Sequence, residues 1–194
     1  MVLKFNTFGD DTVFHVKIIR LKNKKRVRRN TADHVRSALH ILQRGIIGNN
    51  SLNKEIFPLG RLDKDSHGLM LLTNDGRVTD RLLNPEYAHD KEYIVSVKEK
   101  LRSNFKEKTE AGVDIEGYLT KKCKIEILND FKFKITLTEG KKHQIRRMCV
   151  ALHNEVQDLK RTRIMNIELG KLPAGSHRAI GGEELKTFLK RLGL

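Results

Sequence analysis

The sequence has little cysteine, no tryptophan and no long apolar run. Its two cysteines, Cys123 and Cys149, show no CxxC spacing and no pairing pattern, which argues against a disulfide framework and a zinc site. Cys149 lies in an apolar helical stretch and is predicted to be a buried thiol. No apolar segment reaches the roughly 20 residues of a membrane-spanning helix, and the N-terminus lacks a secretory signal. These absences predict a soluble protein of the cytoplasm, with an organelle left open and no membrane partner.

Acidic residues are scarce relative to basic ones. The 194 residues include 39 Lys and Arg against 24 Asp and Glu, a net charge of +15. Such an excess favours a polyanionic partner, because each phosphate that a basic side chain neutralises releases counterions. Residues 20–29 include seven basic residues and are predicted to be a flexible loop that orders on RNA. Charge alone predicts a nucleic-acid-binding protein, not an enzyme.

Apolar periodicity alternates along the chain between the patterns of strands and helices. The predicted strands begin at Val16 and include 57–59, 69–72, 93–97, a hairpin of 124–128 with 131–137, and 163–169. The predicted helices lie at 31–45, 78–83, 145–152 and 183–192. This interleaving, with a hairpin among the strands, predicts a single α+β domain over residues 1–194 around a largely antiparallel or mixed sheet.

The densest polar segment is Gly60-Arg61-Leu62-Asp63-Lys64-Asp65-Ser66-His67-Gly68-Leu69, which lies between two short apolar runs. Its glycines allow sharp turns and close approach to a ligand. The residues alone leave three interpretations open. Asp63 and Asp65 are an acid and base pair as in a glycosidase, or oxygen ligands for Mg²⁺, or members of a turn held by local contacts.

Two further segments carry candidate site residues. Residues 139–148 read EGKKHQIRRM and open a predicted helix with a cationic cluster. Ile145 lies on the apolar face of that helix, which places Arg146 at the boundary of the buried face, where an arginine needs an acidic partner. Asp63 is the candidate partner. The third segment begins a strand with Tyr93, which either packs in the core or stacks on an RNA base.

Together these segments resemble the pseudouridine synthase superfamily, most closely the ribosomal branch with the small-subunit rRNA enzyme and its large-subunit relatives. The central family motif has the form GRLDxDSxGLxxLTNDG, and residues 60–76 match every fixed position. Residues 89–95 match the Tyr motif and residues 139–148 match the Arg motif. Later matches extend the resemblance to Leu192. Residues 1–30 are a divergent basic segment, because the usual Asn-Lys-Pro-x-Gly opening is missing.

The resemblance implies that a uridine in structured RNA is isomerised to pseudouridine after the base is flipped out of its helix. The RNA would be rRNA, with tRNA as the second candidate, and no metal or organic cofactor is expected. The catalytic residues would be Asp63, the carboxylate that acts at the ribose, Tyr93, which stacks on the uracil, and Arg146, which pairs with Asp63. The substrate-binding residues would be Arg61, Ile145, Lys141, Lys142 and Arg147. No catalytic role is expected for His67.

The resemblance also implies a fold, namely a mixed, mostly antiparallel sheet with flanking helices and an active-site cleft across the sheet. The chain is expected to be a monomer, without the separate N-terminal RNA-binding domain that many relatives carry. A non-catalytic ribosome assembly factor of the same fold is the alternative function. Retention of Asp63, Tyr93 and Arg146 argues against it. A metal-dependent nuclease or glycosidase is a third hypothesis and predicts sensitivity to EDTA or sugar binding.

Overall fold

A computed structural model describes residues 57–194 and, ahead of them, the backbone of one strand at Val16–Leu21. The strands are β1 (Val16–Leu21), β2 (Phe57–Leu59), β3 (His67–Thr73), β4 (Lys91–Val97), β5 (Lys124–Asn129), β6 (Lys132–Leu137), β7 (Val156–Ile164), β8 (Ile167–Glu168) and β9 (His177–Ala179). The helices are α1 (Gly76–Leu83), α2 (Phe105–Ala111), α3 (Gln144–Ala151) and α4 (Gly182–Leu192), and Pro85–Tyr87 forms a 3₁₀ turn. The helix predicted over 31–45 and the basic segment beyond residue 21 lie outside the described residues.

All nine described strands join one open sheet in the order β5-β6-β4-β7-β3-β1-β9, with β2 also paired to β3 and β8 to β7. Neighbouring strands are antiparallel, except that β3 and β7 run parallel at His67 and Gly68. Helices flank this sheet. The predicted α+β class with a mixed, mostly antiparallel sheet is confirmed.

Strand β3 explains why one part of the sequence reads as a continuous apolar run. It has β1 on one edge and both β7 and β2 on the other, and all seven of its residues are buried. A strand covered on both faces needs apolar side chains at successive positions instead of alternate ones. The β5–β6 hairpin shows the opposite case, since along β6 buried residues alternate with partly exposed ones as predicted.

The sheet buries two hydrophobic clusters. The first lies under α1 and α4 and includes Leu69, Leu71 and Phe188. The second lies under α2 and α3 and includes Phe133 and Ile145. Full burial of one such large side chain contributes about 1.5–3 kcal/mol. Strands β3 and β7 pair where the two clusters adjoin, and the polar segment at 60–68 enters the sheet there.

The structure corrects two predictions about local elements. The strand predicted at 163–169 is wrong in its bounds, because β7 already starts at Val156 and the chain reverses at Met165, which has φ +53°. Helix α2 was not predicted, since only Phe105 and Thr109 of its seven residues are buried and no apolar stripe marks it. No helix in the described part of the chain is long and apolar enough to cross a membrane.

The predicted buried thiol is confirmed. Cys149 is 1% exposed on α3, and burial raises its pKa to about 12. Burial likewise raises the pKa of Cys123 to about 11. At neutral pH both side chains are therefore protonated thiols, which are weak nucleophiles.

Candidate active site

Residues 60–66 form the loop that joins β2 to β3 and carries Asp63. Gly60 turns the chain with φ +75°, and the amide of Ser66 donates to the carbonyl of Asp63 at 3.0 Å. Leu62 is buried, whereas the side chain of Asp63 is 35% exposed. The loop is thus anchored by its apolar residue and presents the following carboxylate at the protein surface.

Gly68 fixes the end of this loop against the neighbouring strand. It has φ +104°, and a Cβ at this position would lie 2.3 Å from the backbone oxygen of Arg161 on β7. No side chain fits such a distance, and the φ value also favours glycine. The motif glycine is therefore required by the close approach of β3 and β7.

Arg161 holds the two ends of the loop from inside the protein. The residue is 3% exposed, and its Nε donates to the carbonyl of Leu69 at 2.8 Å while Nη1 donates to the carbonyl of Arg61 at 3.4 Å. Hydrogen bonds from a charged donor are stronger than neutral ones, at about 1.5–3 kcal/mol each. The prediction from sequence missed this residue, because Lys160 and Arg163 beside it have the same charge.

His67 forms a second connection between the loop and β7. Its Nε2 lies 3.1 Å from both carboxylate oxygens of Asp158 and donates to them. The ring is largely buried, with 11% of the side chain exposed. His67 thus lies at the start of β3 with most of its side chain buried, and the expectation that it has no catalytic role stays a prediction.

Arg146 contacts the loop, but not at the expected atom. Its Nη2 donates to the carbonyl of Asp65 at 2.8 Å and its Nη1 to the carbonyl of Val156 at 3.3 Å. Within residues 57–194 the expected ion pair of Arg146 with Asp63 is not formed. The reason is that the first turn of α3 brings the guanidinium between the loop and the start of β7, where one carbonyl of each accepts from it.

His143 is the group that faces the carboxylate. Its Nδ1 lies 3.4 Å from Oδ2 of Asp63, and the imidazole is about half exposed. The residue precedes α3 and has the left-handed backbone conformation, φ +52°. Sequence reasoning missed it as a site residue, although it lies inside the second motif. The unusual backbone angle that turns it towards Asp63 has no sequence signal in a residue other than glycine.

The turn that carries His143 is held by Glu139. The carboxylate of Glu139 accepts from the hydroxyl of Tyr118 at 2.7 Å, from Nε2 of Gln144 at 2.6 Å and from the amide of Lys121 at 2.9 Å. The hydrogen bond to Glu139 raises the pKa of Tyr118. Gln144 lies at the start of α3, and the other two donors lie in the segment at 118–121. Glu139 therefore fixes the position from which α3 begins.

The remaining candidate residues of the second motif differ in exposure. Lys141 and Lys142 are exposed, and Nζ of Lys141 lies 4.4 Å from the centre of the Tyr118 ring. Arg147, expected to contact phosphate, instead donates at 2.8 Å both to the carbonyl of Ile115 and to the carboxylate of Glu116. Two of the three basic residues are thus directed to solvent.

Tyr93 and Ile145 lie on the apolar side of the site. Ile145 is buried in the second hydrophobic cluster, and Tyr93 packs against the same cluster while partly exposed. Tyr93 is the backbone partner of Arg161 across β4 and β7, beside a register shift that leaves an extra residue in β7. The structure therefore connects Tyr93 through Arg161 to the loop that carries Asp63. Arg61 in that loop is exposed.

Lys91 adds a half-buried cation to this region. Its Nζ donates to the carbonyl of His89 at 3.3 Å. Burial lowers the pKa of Lys91, and the nearby charge of Arg161 lowers it further. Across residues 57–194 there is no cluster of three or more His, Cys, Asp or Glu side chains that could hold a metal ion.

The family model described as RNA pseudouridylate synthase matches residues 22–151. Among curated proteins, the chain is 45% identical over 138 residues to the dual-specificity RNA pseudouridine synthase RluF of Escherichia coli (strain K12), covering 71% of this chain and 48% of that protein. It is 38% identical over 134 residues to the ribosomal small subunit pseudouridine synthase A of Pasteurella multocida, covering 68% and 58%. The chain thus spans about half the length of the curated relatives it matches.

A solved structure supports the same similarity in three dimensions. A crystal structure of a pseudouridylate synthase superposes with a TM-score of 0.74 and 25% sequence identity, covering 92% of this chain and 74% of the other. Because the match covers nearly the whole chain, the similarity is one of overall fold and not of a single motif.

Proposed function

This chain belongs to the RNA pseudouridylate synthase family, and from that membership we propose that it converts uridine to pseudouridine within RNA. In this reaction the bond between N1 of the base and C1′ of the ribose breaks, and a bond between C5 and C1′ forms. The proton on C5 is lost and N1 gains one, so the composition of the nucleotide is unchanged. The isomerisation is redox-neutral and needs no electron carrier.

The observation that carries the proposal is the placement of Asp63. Its carboxylate is partly exposed in the middle of the loop, with the imidazole of His143 at 3.4 Å. The carboxylate acts at the ribose, as a nucleophile on C1′ or as a base on C2′. Both routes require an ionised acid that a flipped nucleotide can reach.

The neighbouring residues supply a pocket for the base. A uridine inside a helix must be flipped out before its ribose can be approached, which costs a few kcal/mol. Tyr93, partly exposed on the apolar cluster, stacks on the uracil, and buried Ile145 forms the apolar wall. Arg61 is exposed in the same loop and contacts the RNA backbone or fills the vacated space.

His143 and Arg146 divide the task that the sequence assigned to Arg146 alone. His143 faces the carboxylate and orients it. Arg146 donates to the backbone carbonyl of Asp65, and this hydrogen bond holds the loop in the conformation that positions Asp63. Arg146 therefore acts on catalysis through the loop, as a positioning residue.

The basic surface beside the site binds the RNA backbone. Lys141 and Lys142 are exposed next to His143, and the chain carries a net charge of +15. Phosphate contacts of this kind supply affinity without sequence preference. We propose rRNA as the first substrate to test and tRNA as the second, with the protein acting in the cytoplasm as a monomer.

The proposal is tested by mapping products on RNA. Unmodified rRNA and tRNA transcripts are incubated with wild-type protein or with Asp63→Asn, treated with carbodiimide and read by primer extension. We expect a stop at a defined uridine with the wild type alone, because the carbodiimide adduct persists on pseudouridine.

The opposite result distinguishes the alternative function. If wild-type protein binds the transcripts tightly and no stop appears on transcripts or on ribosomal subunits from cells that lack the gene, the isomerase proposal fails. The assembly-factor hypothesis would then be preferred.

A further inference from the structure

A small cavity lies at the far end of α3 from Asp63, between that end and the start of α2. Its volume is about 90 Å³. The polar residues that line it are Arg102, Asn104, Lys108 and His153, and Phe105 and Leu152 form its apolar floor. The cavity thus has an apolar base and a rim of hydrogen-bond donors.

The rim is cationic and contains no carboxylate. Within residues 57–194, none of Arg102, Lys108 and His153 forms an ion pair. Nearby surface lysines behave differently, since Lys98 pairs with Glu155 and Lys100 with Asp130. Basic side chains that line one cavity without a counter-ion offer a site for an external anion.

The backbone around the cavity is fixed. The side chain of Asn154 is buried and holds the adjoining turn, accepting from the amide of Glu99 at 3.1 Å and donating to the carbonyl of Glu99 at 2.9 Å. His153, next to it, has φ +59° and projects from this turn. Across the cavity, the amide of Phe105 donates to the carbonyl of Arg102 at 2.9 Å. Arg102 and His153 therefore lie on two hydrogen-bonded turns on either side of the cavity, and Lys108 lies on α2.

We propose that this cavity binds a phosphate group of the RNA backbone, at a position remote from the reacting uridine. Arg102 supplies a planar donor pair, Lys108 a point charge, and His153 and the amide of Asn104 further N–H donors. A single phosphate is the anion that matches several converging donors in so small a volume. The choice of RNA as the source rests on the proposed function.

Helix α3 sets the distance from the chemistry. Its N-terminal end carries His143 and Ile145 beside Asp63, and its C-terminal end adjoins the cavity. Eight residues of helix span about 12 Å. A phosphate bound there cannot touch the reacting nucleotide, so it contributes to RNA affinity and to the orientation of the duplex, and leaves the rate of isomerisation unchanged.

The test compares two charge changes on the same part of the protein. The double variant R102Q/K108Q removes both rim cations, and Lys106→Gln removes an exposed cation of α2 that does not line the cavity. For the substrate RNA we expect the double variant to bind about tenfold more weakly, with the slope of log affinity against log salt reduced by about 1. The single-turnover rate at saturating RNA stays that of the wild type, and Lys106→Gln changes affinity less than twofold.

The source of the phosphate is identified by a titration with inorganic phosphate, followed through the NMR signals of His153. Shifts with RNA at micromolar concentration but none with millimolar phosphate support an RNA backbone site. Shifts saturating with phosphate alone mean that free phosphate is the ligand and overturn the RNA assignment. Equal losses of RNA affinity in R102Q/K108Q and Lys106→Gln would overturn the proposed phosphate site. The general electrostatic attraction of a basic surface for RNA would then explain both losses.

Failure of this inference is distinguishable from failure of the proposed function. If the wild type isomerises RNA but the double variant keeps full affinity and salt slope, the cavity has no role and the enzyme proposal stands. If no RNA is isomerised but the double variant still binds RNA less tightly with the reduced slope, the phosphate site stands alone.

Discussion

Two segments meet at Asp63, and they are held in opposite ways. The loop at 60–66 and the start of β3 are held by basic side chains, Arg161 and Arg146, that donate to their backbone carbonyls. The turn at 139–144 is held by an acidic side chain, Glu139, that accepts from its neighbours. In each segment the supporting charge is opposite to that of the residue the segment presents.

This difference shows how the site keeps its reactive groups available. Because the arginines bind carbonyls, neither neutralises Asp63, whose carboxylate faces only the imidazole of His143 at ion-pair distance within residues 57–194. Glu139 accepts from its own turn and the adjoining segment, and Lys141 and Lys142 are exposed beside it. The side chains that hold the two segments are thus different from the side chains proposed to act on RNA. Substitutions can therefore change one segment without changing the other.

The largest effect on stability is expected from the loop glycine, Gly68. Gly68→Ala places a Cβ 2.3 Å from the backbone oxygen of Arg161 at φ +104°. Strain and overpacking together should reduce the free energy of unfolding by about 3 kcal/mol or more. Gly140→Ala is the matched control in the other segment, since no atom lies within 4 Å of its added Cβ. The free energy of unfolding of each variant is measured by urea denaturation. Equal values for the two variants would contradict the close approach of β3 and β7.

A smaller effect is expected from the turn. Glu139→Gln keeps the shape but removes the charge that three donors share, and should cost about 1 kcal/mol. The pKa of Tyr118, raised by its bond to Glu139, should fall towards its ordinary value. Because the pKa of Tyr118 is higher in the folded protein than in the unfolded chain, where it is about 10, the protonated tyrosine stabilises the fold at pH values below about 10. This stabilisation is lost as the pH rises through the pKa of the folded protein. The stability gap between wild type and variant should therefore narrow above pH of about 10.

Absorbance at 295 nm, with Tyr118→Phe as the reference, assigns the titration to that tyrosine. An unchanged titration of Tyr118 in Glu139→Gln would show that Glu139 does not hold the turn. Equal stability gaps at pH 8 and pH 11 would lead to the same conclusion.

A modest effect, on rate and not on stability, is expected where the two segments touch. His143→Ala should lower the single-turnover rate about fivefold, the equivalent of about 1 kcal/mol, with RNA affinity unchanged. His143→Asn should recover most of that rate, because asparagine tolerates the left-handed backbone and places a nitrogen where Nδ1 lies. If alanine and asparagine are equally impaired, or if affinity falls with rate, His143 does not orient Asp63.

The sequence predicted most elements near the site and few of the contacts within it. The apolar run of β3, the β5–β6 hairpin and the last helix follow from periodicity, and the position of Asp63 follows from the motif. The contacts of Arg161 and Arg146 could not be predicted from the sequence, because both side chains donate to backbone carbonyls, which every residue has. The hydrogen bond from Arg161 to Leu69 spans 92 positions of sequence, and it exists only because Gly68 allows β7 to approach.

The most direct test of the central claim is the rate constant of tritium release from RNA labelled with [5-³H]uridine, measured under single-turnover conditions for Asp63→Asn and Asp65→Asn. The two carboxylates share one loop, but only Asp63 faces His143, and Arg146 contacts Asp65 through its carbonyl. We expect Asp63→Asn to lose at least about a thousandfold in rate with its dissociation constant for RNA within twofold of wild type, and Asp65→Asn to stay near the wild-type rate. Wild-type release by Asp63→Asn, or an equal loss in both variants, would contradict the assignment of Asp63 as the catalytic carboxylate.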